Sequence, residues 1–252
     1  MQTLAPAGRR AGLDTLRGVT ILSMTAYHAC WDLVYIFGAD WPWYHGTGAY
    51  LWQQSICWTF ILLSGYCWSL GRHRLRRGLL AFGGGALVSL ATLLVMPEDP
   101  ILFGVLTFLG SAALLLIPLE RVLRRVPAWA GLGGSFGLFL LLRDVNRGFL
   151  GFEGIRLAAL PAWLYHDLGT AFLGFPPEDF FSTDYFSLFP WLFLFLTGYF
   201  LYRALEGRER GRVWEWSVPV VSAMGRHSLV IYLLHQPLVY GLLLAVDRLL
   251  KI

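Results

Sequence analysis

The chain has 252 residues, of which 56% are hydrophobic and 14% are charged, and its mean hydropathy is +0.57. A water-soluble domain carries about 25% charged residues, so this composition indicates an integral membrane protein. The net charge of +4 does not predict nucleic-acid binding, because the basic residues lie in short clusters between apolar runs. The three cysteines also lie in apolar runs and form no CxxC pair, so we expect buried thiols and no metal site.

Seven apolar runs approach the roughly 20 residues that a helix needs to cross a bilayer. The predicted fold is an all-α polytopic bundle of about seven transmembrane helices, forming one domain over residues 1–252. Residues 144–185 are rich in proline and acidic residues, which predicts a structured external loop. A half-spanning piece at residues 157–175 would change the helix count. The runs cover residues 14–37, 50–70, 76–96, 100–118, 128–143, 186–203 and 226–249.

The basic residues predict the orientation of these helices. If the seven runs alternate across the bilayer, 15 of the 20 lysine and arginine residues fall on one side. Basic residues are concentrated on the cytoplasmic side of membrane proteins. We therefore expect a cytoplasmic N-terminus and an external C-terminus, and the bacterial cytoplasmic (inner) membrane as the location.

The first apolar run carries ionisable residues along one face. At 100° per residue, Arg17, His28 and Asp32 fall within about 60° of one another. Arg17 would lie near the cytoplasmic surface and His28 about 16 Å deeper, given a rise of 1.5 Å per residue. We expect Asp32 to accept the ring N–H of His28 and to orient it as a general base. A histidine that only bonds a neighbouring helix is the structural alternative.

The last apolar run has a similar polar pattern. Arg226 and Ser228 stand where the run begins, and the free N–H groups of a helix N-terminus favour a phosphate there. The alternative is a basic cap that anchors the helix to lipid headgroups. His235 would lie about 13 Å deep, comparable with His28. Pro237 is expected to bend the helix.

Two external segments carry further candidates for substrate contact. The first external loop contains Trp43 and His45, where Trp43 belongs to an interfacial aromatic belt or to a stacking surface for a sugar. His45 would lie at the outer mouth, above His28. The long external loop ends with Asp184 and Tyr185, the pair in that loop predicted to contact substrate.

Several segments together resemble a known superfamily of membrane acyltransferases. An arginine and a histidine separated by ten residues, as in Arg17 and His28, are the hallmark of its first helix. The similarity is closer to the bacterial branch of the heparan-alpha-glucosaminide N-acetyltransferase catalytic-domain family, and the similar segments follow the order of that family over nearly the whole chain. These segments are residues 13–28, 59–66, 103–115, 183–199 and 224–238.

The resemblance implies transfer of an acyl group, most simply acetyl, from cytoplasmic acyl-CoA to a hydroxyl or amine on the external side. The acceptor would be a carbohydrate or another component of the cell envelope. His45 matches the catalytic histidine of the lysosomal enzyme, which has an asparagine where His28 stands, so the catalyst is either His28 or His45. Many bacterial relatives have a histidine where this chain has Thr107. The CoA phosphates would bind basic residues, namely Arg17, Arg72, Arg74 and Arg226.

Two other classes of function compete with the enzyme. A proton-coupled transporter or permease would use His28, Asp32 and His235 as a proton relay. Inverted repeats with broken helices would favour transport, and the sequence shows no such repeat. A sensory or assembly subunit without chemistry is the third class. The sequence leaves the acceptor and the oligomeric state open, a homodimer included.

Overall fold

The computed structural model describes residues 11–206 and 216–250. Each of the seven apolar runs lies largely on a helix, as predicted. Two further helices, α6 and α8, are shorter. The helices are α1 Ala11–Trp31, α2 Thr47–Trp68, α3 Arg74–Val95, α4 Val105–Leu123, α5 Ala128–Leu141, α6 Leu168–Leu173, α7 Leu188–Leu205, α8 Pro219–Arg226 and α9 Ser228–Leu250.

Among the described residues, four helices are both long and apolar enough to cross a membrane: α3, α4, α7 and α9. The α1 and α2 helices have 21 and 22 residues but are more polar, and α5 has 14 residues. These lengths and compositions make the chain an integral membrane protein. It stays a prediction that all seven helices cross the bilayer. The side on which each terminus lies is also still a prediction.

The chain divides into two compact units. One contains Met1–Phe60 with Gly207–Ile252, and the other contains Ile61–Glu206. The division falls within α2, so its first part belongs to one unit and its end belongs to the other. Both histidines predicted for the membrane interior, His28 and His235, belong to the first unit.

Glycines allow close helix contacts in the second unit. A Cβ atom added to Gly65 in α2 would overlap the carbonyl oxygen of Phe195 in α7, and Gly198 meets the backbone of α2 in the same way. Gly85 in α3 lies directly against Thr107 in α4. Side chains larger than hydrogen at these positions would separate the helices.

The segment 144–185 is a structured loop, as predicted, and it contains the two strands of the described chain. Strands β1 Phe149–Phe152 and β2 Ile155–Ala159 pair antiparallel. Asp167 caps the six-residue α6, accepting the backbone N–H of Thr170 at 2.8 Å, and this bond lowers the pKa of Asp167. The six residues of α6 extend about 9 Å, whereas half of the bilayer core is about 15 Å thick, so residues 157–175 form no half-spanning helix.

In the first unit, α1 packs closely against α8. A Cβ atom on Gly225 of α8 would overlap the carbonyl oxygen of Asp14, and one on Gly18 of α1 would overlap that of Val221. The hydroxyl groups of Thr15 and Ser222 lie 2.5 Å apart between the same helices. This contact fixes α8, and the chain then continues directly into α9.

Candidate functional site

The structure brings the two histidines of the predicted membrane interior together. His28 lies in the last turns of α1 and His235 in the middle of α9, and their ring centroids are 4.9 Å apart at an angle of 65°. The sequence predicted only that their depths would be comparable. Their contact creates a pair of imidazoles between two helices that lie about 200 residues apart in the chain.

Asp32 does not bind His28, so the predicted hydrogen bond between them is wrong. The carboxylate is fully buried, and its Oδ1 atom accepts the side-chain amide of Gln236 at 2.6 Å. The reason is local: α1 ends at Trp31, and a π-helical turn Asp32–Ile36 follows it. Because the backbone winding changes there, His28 and Asp32 do not have the relative positions that residues four apart have in an uninterrupted α-helix.

His235 has a defined orientation. Its side chain is buried, with 7% of the residue exposed, and its Nδ1 atom lies 2.5 Å from the carbonyl oxygen of Tyr232 one turn earlier. The Nε2 atom has no hydrogen-bond partner within the described residues. One ring nitrogen is therefore held by the helix backbone, and the other is free to meet a ligand.

Three buried polar atoms without a partner come from neighbouring residues in this region. They are Oδ2 of Asp32, Nε2 of His235 and Oε1 of Gln236, judged within the part of the chain that the structure describes. Buried polar groups are nearly always hydrogen-bonded, so unpartnered ones need an explanation. We define the polar core cluster as His28, Asp32, His235 and Gln236. Sequence reasoning missed Gln236, although its place between His235 and Pro237 in an apolar run was a usable signal.

Arg226, which was predicted to bind phosphate at the start of the last helix, lies just before that helix begins. Arg226 is exposed, but it ends α8, so it does not stand at a helix N-terminus. His227 separates the two helices, and Ser228 begins α9. Arg17, on α1, lies 3.8 Å from the carboxylate of Asp14 and is mostly covered.

In the second unit, Arg74 has structural partners. Its guanidinium lies 2.7 Å from Glu120 in α4 and stacks 4.1 Å above the ring of Trp68. Glu120 also binds Arg124 at 2.7 Å. Arg72 lies in the exposed turn before α3. Of the two arginines predicted here for phosphate binding, Arg72 is the more accessible.

The loop after α1 presents aromatic side chains and His45. Trp43 is 51% exposed and stacks on Trp41 with a centroid distance of 5.9 Å. The Nδ1 atom of His45 lies 3.3 Å from the hydroxyl of Tyr35, and His45 is itself exposed. The loop therefore combines an exposed stacking surface with an accessible imidazole.

Asp184 and Tyr185 hold their loop together. Asp184 accepts the backbone N–H of Val105 at 3.2 Å, at the start of α4. The hydroxyl of Tyr185 donates to the carbonyl oxygen of Ala171, and burial raises the pKa of this phenol. Both side chains have structural partners, and their contact with a substrate stays a prediction.

Among the described residues, no group of three or more His, Cys, Asp or Glu side chains is placed to hold a metal ion. The polar core cluster contains two imidazoles and a carboxylate, which are side chains that can take up and release protons.

The family model described as heparan-alpha-glucosaminide N-acetyltransferase, catalytic, matches residues 9–237. The chain belongs to this family. No match of significance was found among curated proteins or among solved structures. Membership implies acyltransferase activity in general, and the family points to acetyl-CoA as the donor.

The match to the acetyltransferase family includes every residue of the polar core cluster, from His28 to Gln236. It ends at residue 237, just after the cluster. It also includes His45 and the arginines predicted to bind CoA.

Proposed function

We propose that this protein is a membrane-embedded acyltransferase that moves an acetyl group from cytoplasmic acetyl-CoA to a hydroxyl or amine on the external side. The observation that supports it most is the polar core cluster, in which two imidazoles lie 4.9 Å apart beside unpartnered polar atoms. Groups of this kind inside a membrane protein are costly and are typical of functional sites.

The chemistry requires one imidazole of the pair to act as a base. It would take a proton from the acceptor hydroxyl or amine as that group attacks the thioester carbonyl. The bond from carbon to sulfur breaks, and the CoA thiolate leaves with the proton that the imidazole returns. An acyl-imidazole intermediate is the covalent version of the same transfer.

The donor would reach the cluster from the cytoplasmic side. This direction follows from the predicted topology of seven crossings with a cytoplasmic N-terminus. Arg17 and the exposed Arg226, both in the first unit, would contact the CoA phosphates, and the exposed Arg72 of the second unit is a separate candidate for such a contact. Arg74 contributes less, because Glu120 already neutralises it.

The acceptor would approach from the opposite side. Trp43 offers an exposed ring on which a sugar could stack, and His45 lies beside it in the same loop. A saccharide-like acceptor fits both this surface and the glucosaminide in the description of the family.

The test uses purified protein, acetyl-CoA labelled in the acetyl group, and two acceptors. Methyl glucosaminide offers an amine, and methyl glucoside offers only hydroxyl groups. We expect label on at least one acceptor and release of CoA thiol. Absence of both label transfer and thioester cleavage, with no binding of CoA, would refute the proposal.

A proton-coupled transporter is the second candidate, because the same cluster could pass protons along His28, Asp32 and His235. Vesicles that contain the protein discriminate between the two functions. Solute-dependent proton uptake without thioester cleavage would support transport, whereas thioester cleavage without proton uptake would support the enzyme.

A further inference from the structure

We infer that His235, and not His28, is the general base, and that its Nε2 atom receives the proton from the acceptor. The inference rests on the proposed acyltransferase function and assigns one role within the polar core cluster. Residue type and depth do not distinguish the two histidines, but their hydrogen bonds do.

The bond to Tyr232 determines the tautomer of His235. A backbone carbonyl oxygen can only accept a hydrogen bond, so the Nδ1 atom that lies 2.5 Å from it must carry the proton. In a neutral imidazole, the other nitrogen then has a free lone pair. The helix backbone thus sets Nε2 of His235 as the proton-accepting atom.

The surroundings of Nε2 favour a substrate that donates hydrogen bonds. The atom is buried and has no partner in the described residues. The nearby unpartnered atoms, Oδ2 of Asp32 and Oε1 of Gln236, are also acceptors, because Gln236 uses its amide N–H on Oδ1 of Asp32. Acceptor molecules with several O–H or N–H groups, such as amino sugars, would satisfy them.

His28 lacks such a constraint. Within the described residues, no hydrogen bond fixes the tautomer of its ring, which instead meets the rings of His235 and Tyr27. His28 therefore serves to position the reacting groups beside His235. A general base needs a defined lone pair directed at the proton that it takes, and of the two histidines of the polar core cluster it is His235 whose described contacts define one.

The transfer step balances with His235 as the base. The acceptor oxygen or nitrogen forms a bond to the acyl carbon while its proton moves to Nε2. The tetrahedral intermediate then expels the CoA thiolate, breaking the bond from carbon to sulfur. The imidazolium returns the proton to the thiolate, so free CoA and neutral His235 are restored.

The experiment compares three asparagine variants in the full-length protein. An asparagine at position 235 keeps an amide N–H near the place of Nδ1, so it preserves a donor to the Tyr232 carbonyl but removes the base. The variants are His235→Asn, His28→Asn and, as a matched control in the exposed loop, His166→Asn. Thiol release from acetyl-CoA and label transfer to methyl glucosaminide are measured from pH 5 to 9.

We expect His235→Asn to lower kcat by about 10²–10⁴-fold with little change in the KM for acetyl-CoA. It should also remove the acidic limb of the pH profile of kcat. The titratable groups described around His235 are His28 on α1, Asp32 in the π-helical turn after α1, and Tyr232 on α9 itself. His28→Asn should lower kcat less and keep the limb, and His166→Asn should match the wild type.

The inference is overturned if His235→Asn keeps kcat within tenfold of the wild type, or if the acidic limb disappears only in His28→Asn. Either result requires a wild-type protein that transfers the label. An inactive wild type would instead contradict the proposed function, so the two failures are distinguishable.

Discussion

Gln236 donates its side-chain amide to Oδ1 of Asp32 across 2.6 Å, although the two residues are 204 positions apart. This bond joins the end of the first helix to the middle of the last one. A buried carboxylate keeps the cost of its burial without compensation when the side chain that donates to it is removed.

We therefore expect Gln236→Leu to lower the free energy of unfolding by about 1–3 kcal/mol, measured in detergent by thermal or denaturant unfolding. The double variant Asp32→Leu with Gln236→Leu should lose less unfolding free energy than Gln236→Leu alone, because no polar partner is then left without a hydrogen bond. Gln53→Leu on α2 is the matched control. It should change stability little, because the hydrogen bond that the Gln53 amide oxygen accepts from the Gln54 amide is long, at 3.5 Å. Additive losses in the double variant would show that the two side chains do not interact.

The close contact of α1 and α8 predicts that Gly225→Ala lowers the unfolding free energy much more than replacing a glycine that has open space around it. Gly225→Ala places a methyl group against the carbonyl oxygen of Asp14, which forces the helices apart. We expect a loss of about 1–3 kcal/mol in unfolding free energy.

Gly241→Ala is the control for that substitution. It lies in α9 with nothing within 4 Å of an added Cβ, and alanine should leave stability unchanged or raise it by up to about 1 kcal/mol. Equal effects of the two substitutions would contradict the packing described for α1 and α8.

Arg226 is predicted to recognise the phosphates of the donor. Removing its charge in Arg226→Gln should raise the KM for acetyl-CoA several-fold and leave kcat nearly unchanged, because a phosphate contact acts on binding. S-acetyl-pantetheine has the same thioester but no phosphate. The variant and the wild type should therefore have the same KM for that compound; a difference as large as the one for acetyl-CoA would assign Arg226 another role.

Arg72 and Arg74 should differ, although they are two residues apart. Arg74 binds Glu120 and covers Trp68, so Arg74→Gln should lower the unfolding temperature, and higher salt should reduce the difference from wild type. The ion pair is partly exposed, and we expect a loss of about 1 kcal/mol at most.

Arg72 is exposed in a turn, so Arg72→Gln should raise the KM for acetyl-CoA without affecting stability. An unchanged KM in Arg72→Gln, together with a raised KM in Arg74→Gln, would contradict this division of roles.

Hydropathy predicted much of the fold, because it depends on local sequence. The seven apolar runs lie largely on helices. The two strands in the loop were missed, because short strands of four and five residues give a weak pattern. The break between α8 and α9 at His227 was missed as well, since no proline or glycine follows Arg226.

The candidate site was only half predictable. Counting residues along a helix placed His28 and His235 at comparable depths, and the structure brings their rings together. The partner of Asp32 was not predictable, because it depends on a π-helical turn and on a side chain from the other end of the chain. Asp184 was predicted to contact substrate because, with Tyr185, it directly precedes the sixth apolar run, and the bond from its carboxylate to the first turn of α4 was not predictable from that position.

The central claim is tested most directly by measuring thiol release from acetyl-CoA in three proteins. They are the wild type, His45→Asn and the double variant His28→Asn with His235→Asn. The reaction is proposed to occur at the polar core cluster, and His45 is proposed to serve the acceptor in the outer loop. We predict that, with saturating acceptor, His45→Asn still cleaves the thioester at close to the wild-type rate, whereas the double variant does not. Loss of cleavage in His45→Asn alone, with full activity in the double variant, would contradict the account.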